Sequence, residues 1–365
     1  MIRVMATVAG ATERRDALIE RLFLNSVGAF DLFSVYLGDR LGLYRVLADR
    51  GPLTPAELAE AAGIHERYAR EWLEHQAASE LLDLEVQGGT LRFRLPEGHD
   101  EALLDASSVN YIAAMARSVL ASIRPVDSLV EAFRSGGGVP YADYGEDMHE
   151  AQAAFTRPLF ENLLGKDWLP AVPEIHERLL ADPPARVADV ACGQGRSSIA
   201  IARAYPLVHV DGIDSDRASI EFARRNLEGT GVEDRVSFHD RDAADPGLAG
   251  RYDLVTIFEA LHDMSYPVEV LSAVRNLLAE GGLVLIGDER TEDAFTAPAS
   301  EVERLFYGFS VFHCLPVGMV GENAAGTGTV IRAATVKEYA EQAGFAGCEV
   351  LPIENDFWRF YLLRP

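Results

Sequence analysis

Three aspartates and two glycines in the second half of the chain have the types and spacing of a ligand-binding edge. Asp189, Asp214 and Asp242 each lie at or just after the end of a short apolar run, the pattern of a buried strand. Gly193 and Gly195 follow the first run, where paired glycines permit a sharp turn and a close approach of a ligand to the backbone. Three carboxylates at strand ends suit a ligand with cationic groups, hydroxyls and an amine, whereas a pyrophosphate would be repelled.

S-adenosylmethionine carries these groups, and we predict it as the cofactor. We expect its ammonium and sulfonium near the glycine turn and Asp189, its ribose hydroxyls at Asp214 and its adenine amine at Asp242. A single acid at a strand end is commonly the N-cap of the following helix. Three of them at the edge where open α/β sheets bind ligands favour the ligand-binding interpretation.

A histidine and an aspartate follow the fourth predicted strand. His262 and Asp263 stand in the segment 258–267, which we expect at the same edge of the sheet, close to the transferable methyl group. Imidazole titrates near neutrality and can take a hydroxyl proton while the oxygen attacks the methyl. We therefore predict His262 as the general base, assisted by Asp263. The alternative is that His262 only caps or packs the end of the strand.

The elements that must position these residues alternate between strand and helix. The predicted strands are 187–190, 208–213, 236–239, 254–258 and 283–287, and the helices between them are 197–204, 215–227 and 268–278. A helix at 336–343 and strands near Val350 and Phe360 complete the pattern. Repeated βα units of this length predict an α/β fold with a doubly wound, mostly parallel, Rossmann-like sheet.

The first hundred residues predict a winged-helix domain, all-helical apart from its wing. Thr54, Pro55 and Glu57 form the pattern of a capping box with proline at the first helical position. A helix over 65–79 follows, and then two short strands, 81–86 and 90–95, around a glycine turn. We expect a winged-helix dimerisation domain at 1–100, a helical linker and substrate-pocket segment at 101–180, and the cofactor-binding domain at 181–365.

Charge excludes some partners for this chain. It has 33 Lys+Arg against 57 Asp+Glu, a formal net charge of −24, which repels nucleic acid and anionic membranes. In the predicted recognition helix, Glu66, Glu71 and Glu74 outnumber Arg67 and Arg70, so DNA binding is not expected. No apolar stretch approaches the length of a membrane span. The expected setting is cytoplasmic.

The cysteine and histidine patterns give no sign of a metal or a disulfide framework. The three cysteines are scattered, no CxxC pair exists, and none of the histidines other than His262 is spaced as a metal ligand with another ligand on one face. A segment over 301–320 is rich in aromatic residues and precedes several glycines, which suits a mobile lid near 295–330. Such an aromatic helix is more often core or dimer interface than a substrate contact.

The glycine turn and its flanking acids resemble the class I S-adenosylmethionine-dependent methyltransferases over residues 185–290. Ala191 stands where their first motif usually has glycine, and Met264 where a tryptophan usually follows the His-Asp pair. With the winged-helix front end, the chain resembles two-domain small-molecule O-methyltransferases. This resemblance implies homodimerisation through the N-terminal domain and further cofactor contacts at Ala191, Ala243 and Phe258.

We therefore expect methyl transfer to a hydroxyl, or as second choice an amine, of an apolar or aromatic small molecule. Intact donor-binding motifs are also compatible with a protein of the same fold that uses the donor for decarboxylation, hydroxylation or rearrangement. A winged-helix regulator that senses the donor, and an enzyme that binds NAD through the near-dinucleotide spacing of the glycines, are further alternatives.

Overall fold

The computed structural model describes residues 10–243 and 251–365, which fall into two compact units, 1–117 and 118–365. The finer division at residues 100 and 180 stays a prediction. None of the described helices is long and apolar enough to cross a membrane.

The N-terminal unit is helical with a two-stranded wing. Its elements are α1 (Ala11–Arg40), α2 (Leu43–Arg50), α3 (Pro55–Ala62), α4 (Glu66–Ala78), β1 (Asp83–Gln87), β2 (Thr90–Arg94) and α5 (His99–Leu104), and α6 (Ala113–Ser122) contains the boundary between the units. The predicted capping box is confirmed, since Thr54 and Glu57 each accept a hydrogen bond from the other's backbone N–H. Arg92 of the wing donates to the Glu57 carboxylate at 2.9 and 3.0 Å, which ties β2 to the start of α3.

The C-terminal unit is built on a seven-stranded sheet in the order β5-β4-β3-β6-β7-β9-β8. Its strands are β3 (Arg186–Val190), β4 (His209–Asp214), β5 (Val236–Asp240), β6 (Tyr252–Phe258), β7 (Leu278–Glu289), β8 (Gly347–Val350) and β9 (Trp358–Arg364). Strands β3 to β7 are parallel to one another, and β9 is antiparallel to both β7 and β8. The predicted doubly wound, mostly parallel sheet is confirmed.

The described residues of the C-terminal unit also form α-helices. They are α7 (Val126–Ser135), α8 (Glu146–Leu159), α9 (Pro173–Leu180), α10 (Arg196–Ala204), α11 (Arg217–Leu227), α12 (Pro267–Leu277), α13 (Glu301–Phe309), α14 (Leu315–Gly318) and α15 (Ala333–Gln342). Two π-helical turns, Phe160–Trp168 and Ser310–Cys314, continue α8 and α13.

The central strands are apolar because both of their faces are covered. Along β3, Val187 packs in a cluster with residues of α10, while its neighbour Ala188 packs in a second cluster with residues of α12 and α15. The chain winds outward from β3 through β4 to β5 and then returns to β6 on the other side of β3. This reversal opens a crevice at the carboxyl ends of β3 and β6, where open α/β sheets bind ligands.

Candidate active site

The turn after β3 is built on left-handed backbone conformations. Ala191, Gly193 and Gly195 have φ angles of 56°, 51° and 74°. Ala191, which stands where the resembled family usually has glycine, therefore has a backbone conformation that favours glycine. A Cβ added at Gly193 would meet nothing within 4 Å, whereas one at Gly195 would lie 2.3 Å from Cζ of Phe238. Gly193 therefore faces open space, and Gly195 is required by packing.

Asp214 closes the turn from the neighbouring strand. Its Oδ2 accepts the N–H of Gly193 at 2.8 Å, and its Oδ1 accepts the N–H of Asp216 at 2.8 Å. Burial raises the pKa of Asp214 to about 6. The carboxylate at the end of β4 thus holds the glycine turn in place and borders the crevice.

Six of the predicted cofactor-binding residues line one cavity of about 400 Å³ at this edge. They are Ala191, Gly193, Asp214, Asp242, Ala243 and Phe258. The sheet brings them together because they follow four different strands that end at the same edge.

Asp189 and Gly195 are not among the residues that line the cavity. Asp189 is 1% exposed, and its carboxylate accepts hydrogen bonds from the hydroxyls of Ser197, Ser198 and Thr256 at 2.6, 2.6 and 2.7 Å. Burial raises the pKa of Asp189, against the lowering effect of these bonds. This carboxylate anchors the start of α10, and the expected contact of Asp189 with the ligand ammonium stays a prediction.

His262 lies behind the cavity wall. Its side chain is 2% exposed, and its Nδ1–H donates to Oδ1 of Asp288 at the end of β7, at 2.8 Å. Burial by itself would lower the pKa of His262, but the Asp288 carboxylate and Cys314 hold it well above its usual range. The expected partnership with Asp263 is corrected, since the carboxylate that orients the imidazole is Asp288.

Asp263 is the member of the predicted catalytic pair that lines the cavity. Burial raises its pKa to about 6, while His262 opposes the rise. Glu259 also lines the cavity with a φ of 51°, and burial raises its pKa to about 8. The wall next to the glycine turn therefore carries carboxyl groups and apolar surface from Met264 and Val317.

Tyr141 and His149 line the cavity from the helical segment that precedes the sheet. His149 donates from Nε2 to Asp216 at 3.1 Å and from Nδ1 to the carbonyl oxygen of Gly145 at 3.0 Å, and its own carbonyl accepts from Gln194. The Tyr141 ring lies 4.6 Å from the His149 ring. Sequence reasoning missed both residues, because nothing in their spacing relates them to a motif some fifty residues away.

The aromatic residues of the segment 301–320 do not line the cavity. The residue of this segment that lines it is Val317. Phe306 packs in the interior, and Phe312 is 39% exposed. The role predicted for this segment as a mobile lid stays a prediction.

Two family models match the chain. Residues 181–344 match a methyltransferase domain, and residues 30–105 match an Rv2258c-like winged HTH domain. These matches place a methyltransferase domain after a winged-helix domain in this chain. S-adenosylmethionine is the cosubstrate of such a domain, in agreement with the predicted cofactor.

Several known proteins are similar to the methyltransferase domain or to the whole fold. Trans-aconitate 2-methyltransferase of Methylobacterium nodulans is 27% identical over 176 residues, which cover 48% of this chain and 60% of the relative. Ubiquinone biosynthesis O-methyltransferase of Marinobacter nauticus is 36% identical over 103 residues, 28% of this chain and 42% of the relative. This chain therefore spans less than two thirds of these relatives.

The human N-acetylserotonin methyltransferase, solved in complex with S-adenosylmethionine, has the same fold. It superposes with a TM-score of 0.70 at 17% identity, over 98% of this chain and 99% of the other. At this identity the likeness concerns the fold alone.

Asp214→Ala is expected to weaken binding of S-adenosylmethionine to the methyltransferase domain by roughly 10- to 100-fold. A carboxylate that accepts both ribose hydroxyls contributes ~1.5 to 3 kcal/mol through charge-assisted hydrogen bonds. Calorimetry with S-adenosylhomocysteine measures the change, and thermal unfolding checks that the glycine turn survives. Asp240→Ala, at the exposed end of β5, is the matched control. An Asp214 variant with the affinity of the parent would remove this carboxylate from the donor site.

The His149–Asp216 pair predicts a pH dependence of the cavity wall. Both imidazole nitrogens donate to oxygen acceptors, as only the charged ring does. The hydrogen bond to Asp216 raises the pKa of His149, while that bond lowers the pKa of Asp216. The raised pKa of His149 stabilises the folded state fully below about pH 6.5, and this stabilisation is lost as pH rises through the pKa of His149 in the folded state. The stabilisation that comes from the lowered pKa of Asp216 is lost only in strong acid.

Asp216→Asn is therefore expected to lower the pKa of His149 and to abolish this stabilisation. Titration of the His149 ring protons by NMR measures the shift, with Asp240→Asn as control. A His149 titration that is the same in both variants would contradict the pairing.

Proposed function

We propose that the chain transfers the methyl group of S-adenosylmethionine to a hydroxyl group of a small apolar or aromatic molecule. The observation that carries this proposal is a single cavity with two kinds of wall. One part has the glycine turn with Asp214 and Asp242, and the adjoining part has Asp263 beside Met264 and Val317. The names of several relatives, including ubiquinone biosynthesis O-methyltransferases, support a hydroxyl acceptor.

In this reaction the acceptor oxygen attacks the methyl carbon in line with the sulfur. A carbon–oxygen bond forms, the carbon–sulfur bond breaks, and its electron pair remains on sulfur as S-adenosylhomocysteine is released. We infer that the donor lies with its sulfonium toward the carboxyl-bearing wall, because opposite charges attract strongly in a poorly solvated cavity. The apolar side chains would receive the body of the acceptor.

The hydroxyl proton must leave as the methyl is transferred. We propose that the Asp263 carboxylate, which faces the acceptor, accepts it, and that the His262 imidazole behind it, oriented by Asp288, helps to keep that carboxylate ionised. Burial raises the pKa of Asp263 to about 6, so its carboxylate is largely ionised at neutral pH and is the group available at the cavity surface.

The experiment is incubation of the full chain with methyl-labelled S-adenosylmethionine and a panel of phenols, alcohols and amines. Label transfer to a hydroxyl, lost in Asp214→Ala, supports the proposal. Label found only on amines would overturn the hydroxyl preference. Consumption of the donor without label transfer to any acceptor would identify a non-methylating reaction. A shift of DNA mobility in a gel at low salt would favour a transcriptional regulator.

We further propose that the chain is a homodimer through its first helix. In the described part of the chain, the first half of α1 is exposed on all sides although it is rich in large apolar residues: Leu18, Ile19, Leu22, Phe23, Leu24, Val27 and Phe30. Contiguous apolar surface of this kind is characteristic of an interaction site, and symmetric dimers are its commonest outcome.

Light scattering at micromolar concentration is expected to give a mass near twice the 39.9 kDa of one chain. The double substitution Phe23→Asp and Phe30→Asp should shift the mass to that of a single chain, because two charges would be buried in the interface. A parent protein with the mass of one chain would contradict the proposal.

A further inference from the structure

We propose that Glu259 selects acceptors with a second oxygen near the hydroxyl group, a carbonyl oxygen above others, by donating a hydrogen bond to it from a protonated carboxyl group. Glu259 directly follows Phe258, the last residue of β6, and lines the cavity. Asp263, which faces the acceptor hydroxyl in the proposed reaction, lines the same cavity four residues later. The assignment names the acceptor class of that site and therefore rests on the proposed function.

The backbone of Glu259 has a conformation that a glutamate rarely adopts. Its φ is 51°, and its N–H donates to the carbonyl oxygen of Gly287 on β7 at 2.8 Å. In the described part of the chain, the non-glycine residues with a positive φ that line the cavity are Ala191 and Glu259, and each comes first after a central strand. Such backbone is unfavourable for a residue with a Cβ, and it is found often at functional sites. The fold therefore holds Glu259 at the crevice at a cost in backbone energy.

The carboxyl group of Glu259 lacks hydrogen bonds that other acids near the turn have. Its Oε2 is buried and has no hydrogen-bond partner among the described residues, although the residue as a whole is partly exposed and borders the cavity. Asp214, by contrast, accepts two backbone N–H groups, and Asp189 accepts three hydroxyls. Because a buried polar group without a partner is costly, a ligand that supplies the partner gains affinity over one that does not.

The surroundings of Glu259 keep its carboxyl group protonated. Three further carboxyl groups lie within electrostatic range, Asp263 on the following turn and Asp288 and Glu289 at the end of β7, together with the imidazole of His262. Burial, with the charges of Asp288 and Asp263, raises the pKa of Glu259 to about 8, while His262 opposes the rise. A carboxyl group that is neutral at pH 7 can donate a hydrogen bond, which a carboxylate cannot.

The order of the strands places Glu259 toward the acceptor. Asp214, where we expect the ribose of the donor, ends β4 on one side of β3, whereas Glu259 follows β6 on the other side. The cavity-lining residues that come soon after Glu259 in the chain are Asp263 and Met264, a polar and an apolar group that we expect to hold the acceptor. The hydrogen bond from Glu259 therefore goes to an oxygen of the acceptor, while Asp263 takes the hydroxyl proton.

The test uses the full chain saturated with S-adenosylhomocysteine, and pairs of methyl ethers of the kind that the proposed reaction forms. The pairs are the ortho, meta and para isomers of methoxyacetophenone and of ethylanisole, which match in size, differ in the carbonyl oxygen and do not titrate. Calorimetry at neutral pH is expected to show at least about 10-fold tighter binding of the methoxyacetophenone in one or more pairs.

Three variants separate hydrogen bonding by Glu259 from a merely structural role. Glu259→Gln, whose amide still donates, should keep most of the carbonyl preference, and Glu259→Met should abolish it. A loss of packing alone would weaken both members of a pair equally. Glu280→Met, at an exposed position near the start of β7, should leave the preference unchanged.

The carbonyl preference of the parent chain should also fall as pH rises through about 8, because an ionised Glu259 repels the carbonyl oxygen. In Glu259→Gln it should stay constant over this range. Cys314 and Tyr361, which lie close to His262 and Asp288, remain neutral there because burial raises their pKa values. Thermal unfolding shows whether each variant is folded, and the pH profile of the parent decides the matter should Glu259→Met not fold.

Three results would overturn the role of Glu259: equal affinities within every pair, no binding of any methoxyacetophenone, or a preference that persists in a folded Glu259→Met chain. Ligand binding and label transfer are separate readouts. A carbonyl preference in a chain that transfers no label would overturn only the proposed function. Label transfer to hydroxyl groups without a carbonyl preference would overturn only the selection by Glu259.

Discussion

His262→Ala is expected to lower kcat for methyl transfer by about 10²- to 10⁴-fold while affinity for S-adenosylmethionine stays nearly unchanged. Activation of the acceptor hydroxyl by a positioned group typically contributes this factor, and His262 is not among the residues that line the cavity with the glycine turn, where we propose that the donor binds. Steady-state kinetics with labelled donor measure kcat, and calorimetry with S-adenosylhomocysteine measures affinity.

Two companion variants separate the roles at this position. Asp263→Asn should cause a loss at least as large as His262→Ala, because an amide retains the shape of the side chain that faces the cavity but cannot accept the hydroxyl proton. Asp288→Asn should lower kcat less than removal of the imidazole, since a neutral amide still accepts one hydrogen bond from Nδ1 but no longer supports its charge. A His262→Ala enzyme with nearly full kcat on its true acceptor would make His262 a packing residue.

Gly193→Val is expected to weaken donor binding by more than the roughly 100-fold upper limit for Asp214→Ala. The open space beside Gly193, where no atom lies within 4 Å of an added Cβ, is the space that the donor would occupy. A branched side chain would fill it and would also strain a backbone with a φ of 51°, at ~1 to 2 kcal/mol. Calorimetry with S-adenosylhomocysteine gives the affinity.

Gly195→Ala is the informative contrast. Its added methyl would meet the Phe238 ring at 2.3 Å, so this variant should lose thermal stability first, and donor affinity only as a consequence. Gly193→Val, by comparison, should unfold within a few degrees of the parent. Tight donor binding by a folded Gly193→Val chain would show that the ligand does not lie against this turn.

The sequence pattern of single segments was sufficient to predict the sheet and one side of the candidate site. Both faces of a parallel strand are buried, which makes the runs Val187–Val190 and Leu254–Phe258 apolar. Such strands can be predicted from the sequence without knowledge of the strands beside them. Parallel strands also end at one edge, and this rule alone brought Asp214 and Asp242 to the same cavity as Gly193. The order of elements and the grouping of these residues at one end of the cavity, where we propose that the donor binds, were therefore predictable from the sequence.

The direction of each side chain was not predictable in this way. Asp189 ends its strand as Asp214 does, yet its carboxylate is satisfied by three buried hydroxyls beneath the turn, because the helix that follows packs its serines there. A strand-end rule locates a residue at an edge, and packing decides whether its side chain faces the ligand or the interior.

The wall at which we propose that the acceptor binds depended on tertiary structure most of all. Asp288 follows a predicted strand and was within reach of the same rule, but its pairing with His262 requires β6 and β7 to be neighbours in register. His149 and Cys314 lie far along the chain from His262, on a helix and a π-helical turn whose spacing carries no motif. Sequence periodicity reports which face of an element is buried, whereas contacts between distant elements arise only when the chain packs, and these contacts decide the chemistry at this wall of the cavity.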